Sequence, residues 1–248
     1  MSKTALITGA TSGIGAATAR LLATNGYSLV LCGRSAERLN EIKSELSENV
    51  VATALFDVRN REEVEKALEP ILKNYIIDAL INNAGNAHGL APIQEGSVED
   101  WDAMIDGNVK GLLYVSKPVI KQMTERKAGH IINIGSIAGK EVYPNGNVYC
   151  ASKYAVDALS DGMRIDLNPF GIKVSQINPG LVNTGFSTVR FKGDKEKAEA
   201  TYKGMEPLYA GDIAEVVWFM LSRPAHVNIS DVVVFPTAQA SSTIVKRD

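Results

Sequence analysis

Thr8-Gly9-Ala10-Thr11-Ser12-Gly13-Ile14-Gly15 follows the apolar run Leu6-Ile7 and leads into Ile14 to Ala23, where apolar and small residues recur at helical spacing. Gly9 ends the strand and permits a tight turn. Gly13 and Gly15 let the backbone approach a phosphate and let the helix pack closely on a sheet. The helix start adds amide donors and a positive dipole end. The spacing is G-x-x-x-G-x-G, not G-x-G-x-x-G. No Gly-Lys-Ser/Thr follows, so a P-loop NTPase is excluded.

Outward from this turn, short apolar runs alternate with helical stretches. Strands are expected at Ser28 to Cys32, Val50 to Phe56, Asp78 to Ile81, His130 to Ile134, Ile172 to Ile177 and Val232 to Phe235. Helices are expected at Ala36 to Leu46, Glu62 to Leu72, Val98 to Arg126 with a kink at Pro118, Val148 to Leu167 and Gly211 to Leu221. Residues 183–207 read as an irregular or short-helical excursion, rich in charge and glycine. Alternation of this kind predicts a doubly wound, mostly parallel seven-stranded α/β sheet, a single Rossmann domain over 1–248 with helices on both faces. Functional residues then belong at the carboxyl ends of the strands.

Composition narrows the function classes. The chain has 248 residues, 26 Lys+Arg against 28 Asp+Glu, and 45% hydrophobic residues. The near-zero charge gives no footprint for nucleic acid or an anionic membrane. No apolar run reaches the roughly 20 residues of a membrane span. The start, Met-Ser-Lys-Thr, shows no signal peptide. Cys32 and Cys150 form neither a metal cluster nor a disulfide framework. The expectation is a soluble cytoplasmic protein with no metal.

The second strand ends Leu31-Cys32-Gly33-Arg34-Ser35. An acid here would bind a ribose 2′-hydroxyl and select NAD. Arg34 instead suits a 2′-phosphate, with Arg38 one helical turn on and Gly33 clearing space, so NADP is favoured over NAD. A solvated arginine at a helix start is the plain alternative. Further along stand Asp57-Val58 after the third strand and Asn82-Asn83-Ala84-Gly85 after the fourth. Asn108 sits between helix-breaking Gly107 and Gly111, Ser136 follows the fifth strand, and Tyr149 and Lys153 share one helix face. Alone, a Tyr-x-x-x-Lys pair is ordinary surface decoration.

Together, and in this order, these motifs with Pro179-Gly180 and Thr184 resemble the short-chain dehydrogenase/reductase family across residues 8–184. The resemblance implies a tetrad of Asn108, Ser136, Tyr149 and Lys153. Tyr149 would exchange a proton with the substrate oxygen, its pKa lowered by the neighbouring ammonium. Ser136 would hold that oxygen, Lys153 would bind the nicotinamide ribose, and Asn108 would hold a relay water. The expected cofactor set is Gly9, Thr11, Ser12, Gly13, Ile14, Gly15, Arg34, Arg38, Asp57, Val58, Asn83, Ala84, Gly85, Tyr149, Lys153, Pro179, Gly180, Val182 and Thr184. Within it, Asp57 would cap the adenine amino group.

Val189-Arg190-Phe191-Lys192-Gly193-Asp194, His130 to Ser136, Gly146 to Tyr149 and Pro224 to Ile229 are similar to an NADP-dependent 3-hydroxy acid dehydrogenase subgroup, acting on serine or allo-threonine and reducing malonic semialdehyde. A small anionic substrate needs a cation. Arg190 in the lid near 183–210 is the candidate, Lys192 the alternative, and Ser136, Tyr143, Asn147 and Tyr149 line the same pocket. His88 is placed on the rim and His226 in a C-terminal turn. The resemblance also implies a homotetramer. Sulfoacetaldehyde or general carbonyl reduction, and a non-catalytic nucleotide-binding regulator, are the other readings. The intact tetrad speaks against the last.

Overall fold

The computed structural model describes residues 2–248. The chain runs β1 (Thr4–Thr8), α1 (Gly13–Thr24), β2 (Ser28–Gly33), α2 (Ala36–Glu45), β3 (Val50–Leu55), α3 (Arg61–Asn74) and β4 (Ala79–Asn82). It continues with α4 (Val98–Ile105), α5 (Gly111–Arg126), β5 (His130–Ile134), α6 (Asn147–Leu167) and β6 (Lys173–Pro179). β7 (Val182–Asn183), α7 (Phe186–Arg190), α8 (Lys195–Ala200), β8 (Leu208–Tyr209), α9 (Ala210–Leu221) and β9 (Asp231–Val234) complete it.

Seven strands pair in parallel in the order β3-β2-β1-β4-β5-β6-β9. β1 is central and buried throughout. Its side chains alternate between two cores. Ala5 and Ile7 face the α1 and α9 side, with Leu22 and Val217. Leu6 faces the α3, α5 and α6 side, with Leu68, Val115 and Val156. Each fully buried Leu or Ile contributes about 1.5–3 kcal/mol, so the period of two in the strands and of 3.6 in the helices is fixed by two apolar layers on one sheet. Strand order reverses between β1 and β4, which opens a crevice beyond their carboxyl ends.

The long helix expected over Val98 to Arg126 is interrupted, but not at Pro118. A π-helical turn occupies Asp106–Lys110, closed by the Gly111 N–H donating to the Asp106 carbonyl, and α5 runs unbroken through Pro118. The cause is close packing. A Cβ on Gly107 would sit 2.5 Å from the Asn86 amide, and one on Gly111 2.8 Å from Val58. The excursion over 183–207 lies between two short strands, β7 and β8, which pair Val182 with Leu208 and Asn183 with Tyr209. Its base is held by the C-terminal tail: Asp248 N–H donates to the Gly204 carbonyl and Arg247 to Thr201.

Candidate active site

The turn after β1 is built as a cradle. Gly9 and Gly13 have φ of +64° and +51°, and a Cβ on Gly15 would lie 2.3 Å from the Gly9 carbonyl. Side chains cap α2, α3 and α4, through Ser35, Asn60 and Ser97. At α1 the Ser12 side chain makes no cap bond and no acid occupies the first turn, so its amides remain open to an anion. Asn83 supports the turn from below, donating to the Thr8 and Gly9 carbonyls, while Thr8 Oγ1 accepts from the Asn83 and Ala84 amides. The Asn83 amide is thus spent on the turn itself. Thr184, at the lid's start, lies within 3.4 Å of where a Gly13 Cβ would stand, so the lid begins against the cradle.

At the end of β2, Arg34 and Arg38 are exposed, and neither forms an ion pair among the described residues. Gly33 also makes room for its neighbours: a Cβ there would stand 2.8 Å from the Thr11 methyl and 3.4 Å from Leu39. Asp57 is gripped by Arg59, with Nη2 to Oδ2 at 2.6 Å, and that pairing holds its carboxyl below the usual range. Arg59 escaped the sequence reading, although its place two residues after Asp57 is the available signal. Open amides, glycines in the left-handed region and an arginine-bearing strand end without an acid fit a dinucleotide carrying a 2′-phosphate.

Asn108, Ser136, Tyr149 and Lys153 come together beyond β4 and β5. Asn108 sits in the π turn. Its Oδ1 accepts from the Asn86 N–H at 2.7 Å, and its Nδ2 donates to the Asn86 carbonyl at 2.8 Å and to Ser152 Oγ at 3.0 Å. Ser152 in turn donates to the Tyr149 carbonyl. Asn86, next to the Asn-Ala-Gly run, was not anticipated. A Cβ on Gly85 would be 3.0 Å from Asn108 Oδ1 and 3.7 Å from Lys153 Nζ, so this glycine keeps the gap between them open. Lys153 is buried, donates to the Ile134 carbonyl at 3.0 Å, and burial brings its ammonium down to about 8. Ser136 Oγ accepts from the Ala138 N–H at 3.1 Å, which leaves its hydroxyl proton free to donate elsewhere.

The electrostatics of Tyr149 differ from expectation. Burial pushes the phenol above its ordinary value. The cation that opposes this is Arg190, followed by hydrogen bonding from Ser136, rather than Lys153. Lys153 is turned to the Ile134 carbonyl, whereas the Arg190 guanidinium lies over the Tyr149 ring, its Cζ 4.6 Å from the centroid. Phe186 and Tyr143 complete an aromatic cup at 5.6 and 5.9 Å. Arg190 Nη2 donates to Tyr143 Oη at 2.7 Å, and its Nε is buried without a partner. Tyr143 packs against Gly146, where a Cβ would clash with its ring.

Lys192, the alternative clamp, points away from Tyr143 to the rim. Its ammonium pairs with Asp100 at 2.9 Å on the rim, and the Gly89 N–H donates to the Arg190 carbonyl at 3.0 Å. These two contacts tie the lid to the segment after β4. Asn147 Nδ2 anchors the same segment by donating to the Ala91 carbonyl. His88 is half-buried near Asp100, and burial holds it below its ordinary pKa. His226 is exposed and far along the chain, in the turn closed by Val227 N–H to the Pro224 carbonyl. At the lid's root, Gly180 is needed because a Cβ would meet Gln239 Oε1 at 2.3 Å. That acceptor also receives the Leu181 N–H.

The comparisons with known proteins agree with this geometry. A family model described as short chain dehydrogenase matches residues 3–195. The chain is 48% identical over 237 residues to the NADP-dependent 3-hydroxy acid dehydrogenase YdfG of Salmonella typhi, covering 95% of each chain. It is 42% identical to sulfoacetaldehyde reductase 2 of Chromohalobacter salexigens, covering 100% of both. Among solved structures it is similar to a closed form of serine dehydrogenase complexed with NADP+, with a TM-score of 0.92, 44% identity and coverage of 99% of this chain and 100% of that one. On sequence, fold and the arrangement around Tyr149, the chain belongs to the short-chain dehydrogenase family.

Proposed function

We propose that this chain is an NADP(H)-dependent oxidoreductase that interconverts a small 3-hydroxy acid or β-hydroxy amino acid and its carbonyl form. The observation that carries the substrate class is Arg190. It is a half-buried guanidinium against the phenol of Tyr149, with an unpartnered Nε and no carboxylate partner among the described residues. Leaving such a donor unsatisfied is costly, and a substrate carboxylate or sulfonate satisfies it. NADP, when bound, accepts or supplies the hydride at its nicotinamide. Tyr149, whose phenol burial holds protonated, gives its proton to the carbonyl oxygen during reduction, and as the phenolate, which the Arg190 guanidinium stabilises, takes it back from the substrate hydroxyl during oxidation. Ser136 donates its hydroxyl proton to the same oxygen and stabilises charge there. Lys153 passes the proton onward from Tyr149 to a relay water that Asn108, across Gly85, holds. Gly9, Gly13 and Gly15 with the α1 amides hold the pyrophosphate, and Arg34 with Arg38 holds the 2′-phosphate.

The segment near 183–210 acts as the substrate lid on one domain, 1–248. No described helix is long and apolar enough to cross a membrane. We further infer a cytoplasmic homotetramer, with Leu113 on α5 and Ile165 on α6 exposed as apolar contact positions. Cell fractionation and sedimentation equilibrium test the two parts of that inference. The sulfoacetaldehyde relative keeps sulfonates within the substrate class.

Arg190→Ala tests the clamp. A charged hydrogen bond contributes about 1.5–3 kcal/mol, so KM for an anionic substrate should rise roughly tenfold to a hundredfold. KM for a neutral aldehyde of the same size should change far less. Equal effects on both substrates remove Arg190 from substrate binding.

A further inference from the structure

Ser136 is held from behind by a buried polar cluster that the chemistry described so far does not use. Asn178, at the end of β6, is fully buried, and Gln176 two residues earlier is 2% exposed. Asn178 Oδ1 accepts the backbone N–H of Ser136 at 3.2 Å and the Gln176 amide at 2.7 Å. Asn178 Nδ2 donates to Asp231 Oδ1 on β9. The other oxygen of Asp231 accepts from Lys140 at 2.7 Å, and Lys140 also reaches Asp157 on α6. Gly135 makes the arrangement possible, because a Cβ there would stand 2.1 Å from Asn178 Oδ1 and 2.5 Å from Gln176 Nε2.

The chemistry fixes the orientation of the Asn178 amide. An ionised carboxylate only accepts, so the NH2 group must face Asp231 and the carbonyl must face the two N–H donors. A flipped amide would set its NH2 against the Ser136 N–H, donor against donor. We infer that Asn178 is a positioning residue for Ser136, and that Asp231 sets the way Asn178 points. The cluster places the Ser136 hydroxyl at the reacting oxygen through the Ser136 backbone. Asn178 itself touches neither substrate nor cofactor. This rests on the reading of Ser136 as the group that holds that oxygen. A direct hydrogen bond to charge that develops during reaction loses strength steeply when its donor moves by a fraction of an ångström.

The test is a double-mutant cycle on the purified full chain, using NADP and a small 3-hydroxy acid. Asn178→Ala should lower kcat tenfold to a hundredfold while the dissociation constant for NADPH, read by fluorescence, stays within twofold. In a Ser136→Ala background the same change should cost less than twofold, because the hydroxyl it positions is gone. Asp231→Asn, on a partly exposed edge strand, is the companion variant that the fold tolerates if Asn178→Ala does not express. It should lower kcat severalfold in the native background and leave the Ser136→Ala rate unaltered. An undiminished loss on top of Ser136→Ala, or a native kcat in the single Asn178 and Asp231 variants, overturns the proposal and leaves Ser136 its role. A native kcat in Ser136→Ala alone overturns the reading of Ser136 and the proposal with it.

Discussion

Arg34 stands where an acid would repel a 2′-phosphate, and it is exposed and forms no ion pair among the described residues. Arg34→Asp therefore removes an attraction and adds a repulsion at one position. The ratio of kcat/KM for NADP to that for NAD should fall by at least about a hundredfold, since two charge-assisted contacts contribute some 3 kcal/mol. Steady-state rates with both cofactors measure it, and an unchanged ratio would contradict the assignment. At this scale the sequence identified residues better than it assigned their work. Arg34 was legible as a charge at a strand end and Asn108 as a polar residue between glycines, whereas Ser136, Tyr149, Lys153 and Arg190 stood out only through the family resemblance. Gly33, Asn83 and Lys192 were legible as positions only. Their partners, Thr11, the Thr8 carbonyl and Asp100, come from elsewhere in the chain, and no local pattern names them.

The elements followed from periodicity nearly to the residue because two apolar layers demand it. The exceptions are the short strands β7 and β8, which no periodicity marks, and the join between α4 and α5. Pro118 is the residue that usually breaks a helix, yet the break lies at Asp106–Lys110, where the glycines admit Asn86 and Val58. A π turn of this kind often marks a functional position, and here it carries Asn108. β5 holds a second feature that pattern alone could not reveal. His130 is buried, its Nε2 paired with Ser175 Oγ at 2.8 Å, and burial lowers its pKa to about 3, aided by Lys173 and Lys3. The folded state therefore refuses a proton that the unfolded chain accepts below about pH 6.5. Its contribution is intact above that pH and is lost as the pH falls, by about 1.4 kcal/mol per unit, or ~2 kcal/mol at pH 5. His130→Gln, which keeps a hydrogen bond to Ser175 and does not titrate, should flatten the loss of urea-unfolding stability between pH 7 and 5 by that amount. Parallel acid slopes for the two proteins would show that His130 does not contribute to them.

Across the whole molecule, a net charge of −2 conceals a segregated set of cations. Arg34 and Arg38 sit at one end of the crevice, Lys153 lies buried at its centre, and Arg190 reaches in from the lid. The lid is anchored at β7 and β8, by the C-terminal tail, and by the Lys192–Asp100 and Gly89–Arg190 contacts, so Arg190 is delivered to Tyr149 by the fold rather than by its own helix. The excursion was visible in the sequence as a loss of periodicity, but its closure over the site depends on contacts spanning about a hundred residues of chain. With Arg190 over Tyr149, NADP-linked turnover must depend on a carboxylate or sulfonate group in the substrate. The direct measurement is initial-rate NADPH formation by the purified chain with serine, allo-threonine, 3-hydroxypropionate and isethionate, set against neutral alcohols of matched size. kcat/KM should be at least about tenfold higher for one or more of these carboxylate- or sulfonate-bearing substrates than for every alcohol without such a group. Equal kcat/KM with and without that group, or no NADPH from any substrate that carries it, would contradict the role given to Arg190.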